Sequence, residues 1–215
     1  MQLTKRGFTT GFSMTNKHKT KGFTIIELLI ATMVFSVVLL IFMAAFIKIG
    51  DMFYKGVNLA NTQEAARNVL DGISNDIRFS KSTPVFNGPD ATGKGYFCIG
   101  QHRYKYQLGQ QVGSPGSYGI LREDIGAGVG CPNPAVTAGT NPSELLNNRM
   151  QLNNIALQNC GSGVCIVKIL IVFYGSDSSV LVPSPTSPNA TCSGSLSTAQ
   201  FCATADYTTS VIQKI

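Results

Sequence analysis

The stretch Lys19-Thr-Lys-Gly22-Phe23-Thr-Ile-Ile-Glu27-Leu-Leu-Ile30 decides the architecture of this 215-residue chain. It joins a basic leader to an apolar block, and each part has a separate physical meaning. Residues 23–47, FTIIELLIATMVFSVVLLIFMAAFI, hold one ionisable group, Glu27. As a helix at about 1.5 Å per residue they extend roughly 37 Å, more than the roughly 30 Å hydrocarbon core of a bilayer. The block can therefore cross a membrane. A secretory signal peptide would have a shorter apolar region, about 7–15 residues, ending at a small-residue cleavage site, and neither condition is met. A carboxylate inside such a span is costly and signals a partner. If the chain is cut after Gly22, the new amine on Phe23 lies one turn from Glu27, on the same chain or a neighbour, and is its natural counter-ion.

The net charge of +6 belongs mostly to the leader. Lys5, Arg6, Lys17, Lys19 and Lys21 precede the block; without these five of the 17 basic residues, 12 remain against 11 acidic ones. Lysines before the span and few charges just after it place the N-terminus in the cytoplasm and the remainder outside. All six cysteines, Cys98, Cys131, Cys160, Cys165, Cys192 and Cys202, follow the block, where an exported, oxidised domain carries disulfides. Six cysteines allow 15 pairings. Cys160 with Cys165, closing a short turn, and Cys192 with Cys202, pinning the C-terminal loop, are the preferred local bridges, which leaves Cys98 with Cys131. A zinc site at Cys160 and Cys165 is the competing reading of that pair, but there is no CxxC pair, and His102 is the one histidine after the leader.

Beyond the span, Ala66, Val69, Leu70, Ile73 and Ile77 recur at helical spacing among charged residues, which predicts an amphipathic helix packed on a head. Ser82-Thr83-Pro84 is its expected stop, and Gly50 and Gly56 are expected points of flexure. From residue 85 the texture is β-like. Residues 103–108 alternate strictly, so Tyr104, Tyr106 and Leu108 should face a core while Arg103, Lys105 and Gln107 face solvent. Residues 164–174 are β-branched and aromatic and apolar on both faces apart from Lys168, a pattern that predicts a strand in the middle of a sheet. Residues 118–122 and 208–212 are weaker strand candidates, and residues 183–198 read as a Pro- and Ser-rich loop.

The ordered combination of basic leader, Gly22-Phe23 junction, Glu27 and uninterrupted span resembles the type IV pilin superfamily: pilins, minor pilins and the pseudopilins of type II secretion. The resemblance covers about residues 17–50. It implies cleavage between Gly22 and Phe23 by a prepilin peptidase, N-methylation of Phe23, and packing of N-terminal helices into a filament core with Glu27 facing a neighbour's N-terminus. The implied partners are that peptidase, other pilin or pseudopilin subunits and an inner-membrane assembly platform. The implied fold is α+β, a long N-terminal helix packed on a small antiparallel β-sheet head. On this reading residues 1–22 are the leader, 23–50 the transmembrane and assembly helix, 51–84 its amphipathic continuation and 85–215 a disulfide-containing head. Two points depart from the common pattern. No proline interrupts the span, and the leader is long, with Met14 as an alternative start to Met1. A weaker similarity, to J-like or W-like minor pseudopilins and minor pilins, rests on residues 75–79, 104–108 and 119–122.

Other chemistry finds little footing. A serine or cysteine hydrolase needs a base beside its nucleophile, and one histidine in the mature chain gives no such constellation, so neither an enzyme nor a cofactor is expected. Gly126-Ala-Gly-Val-Gly130 lacks the full phosphate-loop spacing and opens no helix. Asn189-Ala190-Thr191 matches a glycosylation sequon, a pattern that recurs by chance. Lys94, Arg103, Lys105 and Arg122 with Tyr96, Tyr104 and Tyr106 could form a basic aromatic surface for nucleic acid. The alternation opposes it by sending tyrosines and charges to opposite faces. The competing function is accordingly an anchored binding protein for DNA or a surface ligand, with assembly secondary.

Overall fold

The computed structural model describes residues 22–126, 130–193 and 199–213. Residues 1–21, with Met1, Met14 and the basic residues expected to form the leader, and residues 127–129 of the Gly126–Gly130 run lie outside the described residues. The chain divides into two compact units, Met1–Phe46 and Ile47–Ile215.

Helix α1 runs unbroken over Ile25–Phe79. It continues through Gly50, Gly56 and Gly72, because nothing in 55 residues removes a backbone donor as a proline would. It ends at Phe79, three residues before the expected stop: Ser80 bonds back to Asp76 O, and the Ser80 hydroxyl turns onto Ser82, accepting from its N–H. The first unit's share of the helix is exposed throughout, including Phe35, Leu40 and Phe46. In the second unit burial begins at Thr62 and then follows the helical period through Ala65, Ala66, Val69, Leu70, Ile73 and Ile77.

Among the described residues that follow, the expected antiparallel β-structure takes the form of two sheets and a two-stranded hairpin. The first sheet has strands β1 (Val85–Asn87), β2 (Lys94–Ile99), β3 (His102–Gln107), β4 (Ile120–Asp124) and β5 (Thr140–Glu144), in sequence order. The second has β7 (Val164–Tyr174) between β6 (Met150–Gln158) and β10 (Cys202–Ile212). Strands β8 (Leu181–Val182) and β9 (Thr191–Cys192) make the hairpin, so the region read as a loop contains a strand. The C-terminal strand is longer than its five-residue signal because β7 offers it eleven consecutive partners. Strand β6, MQLNNIALQ, escaped the sequence reading: its buried Gln151 and Asn153 break the apolar pattern.

One core joins α1 to the inner faces of both sheets: Ile73 and Ile77 meet a set that includes Phe97, Tyr104 and Ile120 from the first sheet and Leu152, Ile169 and Val211 from the second. Fully burying each aliphatic side chain contributes about 1.5–3 kcal/mol. The Phe97 and Tyr104 rings stack with centroids 4.8 Å apart. Gly95 faces Tyr106 across the strands, and any side chain there would strike the Tyr106 ring. A second cluster, Leu170, Val172, Val180, Leu181, Ala190 and Cys202, lies where the β8–β9 hairpin covers the outer face of β7. That cover is why β7 is apolar on both faces.

The alternation of β3 holds for its tyrosines and fails for Arg103. Tyr104 and Tyr106 are buried as expected, but Arg103 is also 0% exposed. The outer face of the first sheet is not open to solvent at Arg103, because the segment around Pro132 and Thr137 crosses over it. Arg103 Nη1 and Nη2 donate to Pro132 O and Thr137 O, both at 2.8 Å, and its Nε donates to Glu123. Lys105 Nζ lies 3.0 Å from the other Glu123 oxygen. A disulfide between Cys98 and Cys131, Cα atoms 5.6 Å apart, ties the same segment to β2. Disulfides also join Cys160 to Cys165 and Cys192 to Cys202.

Candidate functional site

The first turn of α1 is built by Thr24 and Glu27. Thr24 precedes the helix and Glu27 is its third residue, the spacing of a capping box. The Thr24 hydroxyl accepts the Glu27 N–H at 3.3 Å, and Glu27 Oε2 accepts both the Thr24 N–H and the Thr24 hydroxyl at 2.9 Å. Two backbone donors at the helix start are thereby satisfied, and a negative charge sits at the positive end of the helix dipole. Oε1 has no hydrogen bond among the described residues. The carboxylate therefore holds its own helix end with one oxygen. Gly22 and Phe23 lie in extended chain just before this cap, and Phe23 is exposed.

Thr24 is the residue that sequence reasoning missed. Its signal was present, since T-x-x-E before an apolar run is an N-terminus signature. On sequence alone Glu27 has a partner in the Phe23 amine and none in Thr24.

The chain's first turn fits an established sequence pattern. Residues 17–43 match the family described as the prokaryotic N-terminal methylation motif. The match, confined to the N-terminal segment, supports reading that segment as a type IV pilin-like prepilin signal. No curated protein and no solved structure matches the chain. The prepilin motif implies processing by a prepilin peptidase and assembly with other pilin subunits. Together with α1, which is long and apolar enough to cross a membrane, it fits a membrane-anchored, exported protein of structural kind.

In the second unit, residues from the three short segments 75–79, 104–108 and 119–122 meet at one carboxylate. Asp76 Oδ2 accepts the Tyr104 hydroxyl at 2.5 Å and Arg122 Nε at 3.2 Å, while Oδ1 accepts Arg122 Nη2 at 3.2 Å. Burial, reinforced by the hydrogen bond to Asp76, pushes the Tyr104 hydroxyl well above its ordinary range. This contact bolts α1 to β3 and β4. It also accounts for Arg122, which turns to the helix side of the sheet. The basic aromatic set is thereby dispersed: Tyr104, Tyr106 and Arg103 are buried, Arg122 pairs with Asp76, and Lys105 pairs with Glu123.

His102 is half-buried on β3, its Nδ1 2.8 Å from Asp124 Oδ1. Hydrogen bonds from Asn141 and from His102 hold the Asp124 carboxyl below its ordinary range. His102 and Asp76 both line a cleft of about 830 Å³ at the C-terminal end of α1, with Phe79, Lys81, Val85 and the Cys98–Cys131 disulfide. Among the described residues no group of three or more His, Cys, Asp or Glu side chains could hold a metal ion.

Proposed function

We propose that the chain is a structural subunit, of minor abundance, of a type IV pilus or of a type II secretion or competence pseudopilus. Its prepilin peptidase cuts between Gly22 and Phe23, Phe23 is N-methylated, and an inner-membrane platform draws the processed chain into the filament. Before assembly the N-terminus is cytoplasmic, residues 23–50 cross the membrane, and the head from residue 85, joined through residues 51–84, is exported. The observation that carries this reading is the methylation motif over residues 17–43 leading into a helix whose first turn Glu27 closes with one oxygen. Once Gly22 is removed, a neighbour's Phe23 amine becomes the donor for Glu27 Oε1. A minor role is supported by the convergence of residues 76, 104 and 122, which come from the three segments that resemble J-like and W-like subunits.

Intact-mass measurement on the protein from its native membranes tests the processing. A chain beginning at Phe23 with one added methyl group is expected, and a species beginning earlier overturns the cleavage site. Glu27→Ala tests assembly. The variant should be cut and remain in the membrane yet be missing from sheared filaments; normal incorporation removes Glu27 from the mechanism. Quantitative immunoblotting of those filaments checks abundance, because a subunit present at one copy per filament subunit is a major one.

A further inference from the structure

Residues 47–59 carry an apolar surface that their own unit leaves uncovered. Ile49, Met52, Phe53 and Tyr54 are 64%, 72%, 68% and 59% exposed, and the first buried residue of α1 is Thr62. A bilayer's hydrocarbon core does not reach this far. Counting from Leu28, just past Glu27, about 20 helical residues cross roughly 30 Å and bring the chain to residue 48. One headgroup layer adds about 5–7 Å, or some four or five residues, which ends at Met52 or Phe53, with Tyr54 at its edge.

The chemistry of those residues matches that layer. The Phe53 and Tyr54 rings stand side by side, centroids 6.2 Å apart and steeply inclined; the tyrosine ring, apolar in body with a polar hydroxyl, is of the kind that collects at membrane–water interfaces, and the apolar Phe53 ring lies beside it. Lys48, Asp51 and Lys55 share a narrow stripe, within about 60° of the circumference at 3.6 residues per turn. Neither lysine has an ion-pair partner among the described residues. Their aliphatic stems can lie along the apolar surface while the ammonium groups reach phosphates. We propose that residues 48–55 form an interfacial collar seated in the outer-leaflet headgroups, Phe53 and Tyr54 anchoring its depth and Lys48 and Lys55 facing lipid phosphate. The collar fixes how far the helix is drawn into the membrane before assembly. The inference rests on the membrane-spanning reading above.

The chain contains no tryptophan, so a single introduced one reports alone. The full chain carrying Phe53→Trp is reconstituted in vesicles of phosphatidylethanolamine and phosphatidylglycerol, without assembly proteins. A fraction of the lipid is brominated either near the headgroup or near the chain end. Emission should be blue-shifted and quenched more by the shallow bromines than by the deep ones, and Tyr54→Trp should behave alike. Val38→Trp serves as the mid-span control. Deep quenching at residue 38 with water-like, unquenched emission at residues 53 and 54 overturns the collar and leaves the span standing. Absence of deep quenching at residue 38 overturns the span and the collar with it. Shielding of residues 53 and 54 that arises only in assembled filaments assigns the surface to a neighbouring subunit and also overturns the collar.

Discussion

Residues 25–59 and residues 62–79 belong to the same continuous helix and obey opposite rules. In the first stretch the large apolar side chains are exposed; in the second, Val69, Leu70, Ile73 and Ile77 are buried to 6% exposure or less. A helix with apolar residues on all sides needs a surrounding solvent of its own kind, whereas one with a single apolar stripe needs a partner on that stripe. The contrast teaches that one secondary structure can serve two environments, with the side-chain pattern alone marking the change. It also separates local from long-range construction. The first stretch is held by its own backbone bonds, by the Thr24–Glu27 cap and, close to its end, by the Asn58 amide donating to Gln200 O, the second by core side chains from strands as distant in sequence as the one carrying Val211.

Breaking a long-range contact should therefore cost most. Arg103→Ala leaves Glu123 buried with only Lys105 as an ion-pair partner and removes two bonds to the segment near Pro132. A loss of about 3–5 kcal/mol is expected for breaking a buried ion pair, seen as a lowered denaturation midpoint; an unchanged midpoint means the segment is not held by Arg103. Replacing Cys98 and Cys131 by alanine opens a loop with a sequence separation of 33, while the same change at Cys160 and Cys165 opens one of 5. The first should cost about 2–4 kcal/mol and the second less, since chain-entropy stabilisation grows with loop length. Equal losses in chemical denaturation would contradict that ranking.

The Tyr104–Asp76 contact makes an alkaline prediction. Below the unfolded tyrosine pKa of about 10, both states hold the proton and the contribution is complete. Above it the unfolded chain releases a proton that buried Tyr104 retains, so stability falls by about 1.4 kcal/mol per pH unit for this group. Tyr104→Phe should lower stability by about 1 kcal/mol at neutral pH through the lost hydrogen bond. The gap from the parent should then narrow above pH ~10, and a constant gap in pH-dependent denaturation removes Tyr104 from the alkaline response. Tyr106, pushed up to about 12 by burial, responds in the same sense.

The smallest effect belongs to the local region. Thr24→Ala removes the cap hydroxyl and should cost about 1 kcal/mol at the helix start. Hydrogen exchange should speed up at residues 25–28 while the head's unfolding midpoint stays where it was. A shifted midpoint would show that the two regions are not as separable as their construction suggests.

Much of this was legible from residue order. The apolar block and the helical spacing of residues 66–77 are repeats of a short period, visible without any partner. Strand β7 could be read because both of its faces are apolar. Arg103 could not, since nothing near residue 103 indicates that residues 132 and 137 will cross above it. Gln151 and Asn153 misled for the same reason. They are buried because Pro185 O and Ser187 O accept their amide hydrogens, and the polar letters concealed strand β6.

What the sequence determined by itself is the N-terminal segment: the methylation motif over residues 17–43, the apolar helix and the T-x-x-E start, because each depends on residues within a turn or two of one another. Only the tertiary structure decided which charges are buried, that two sheets rather than one share the helix's apolar stripe, and that Asp76, Tyr104 and Arg122 meet. Those outcomes depend on which surfaces cover one another, and that is settled when distant segments compete to exclude water from a common core.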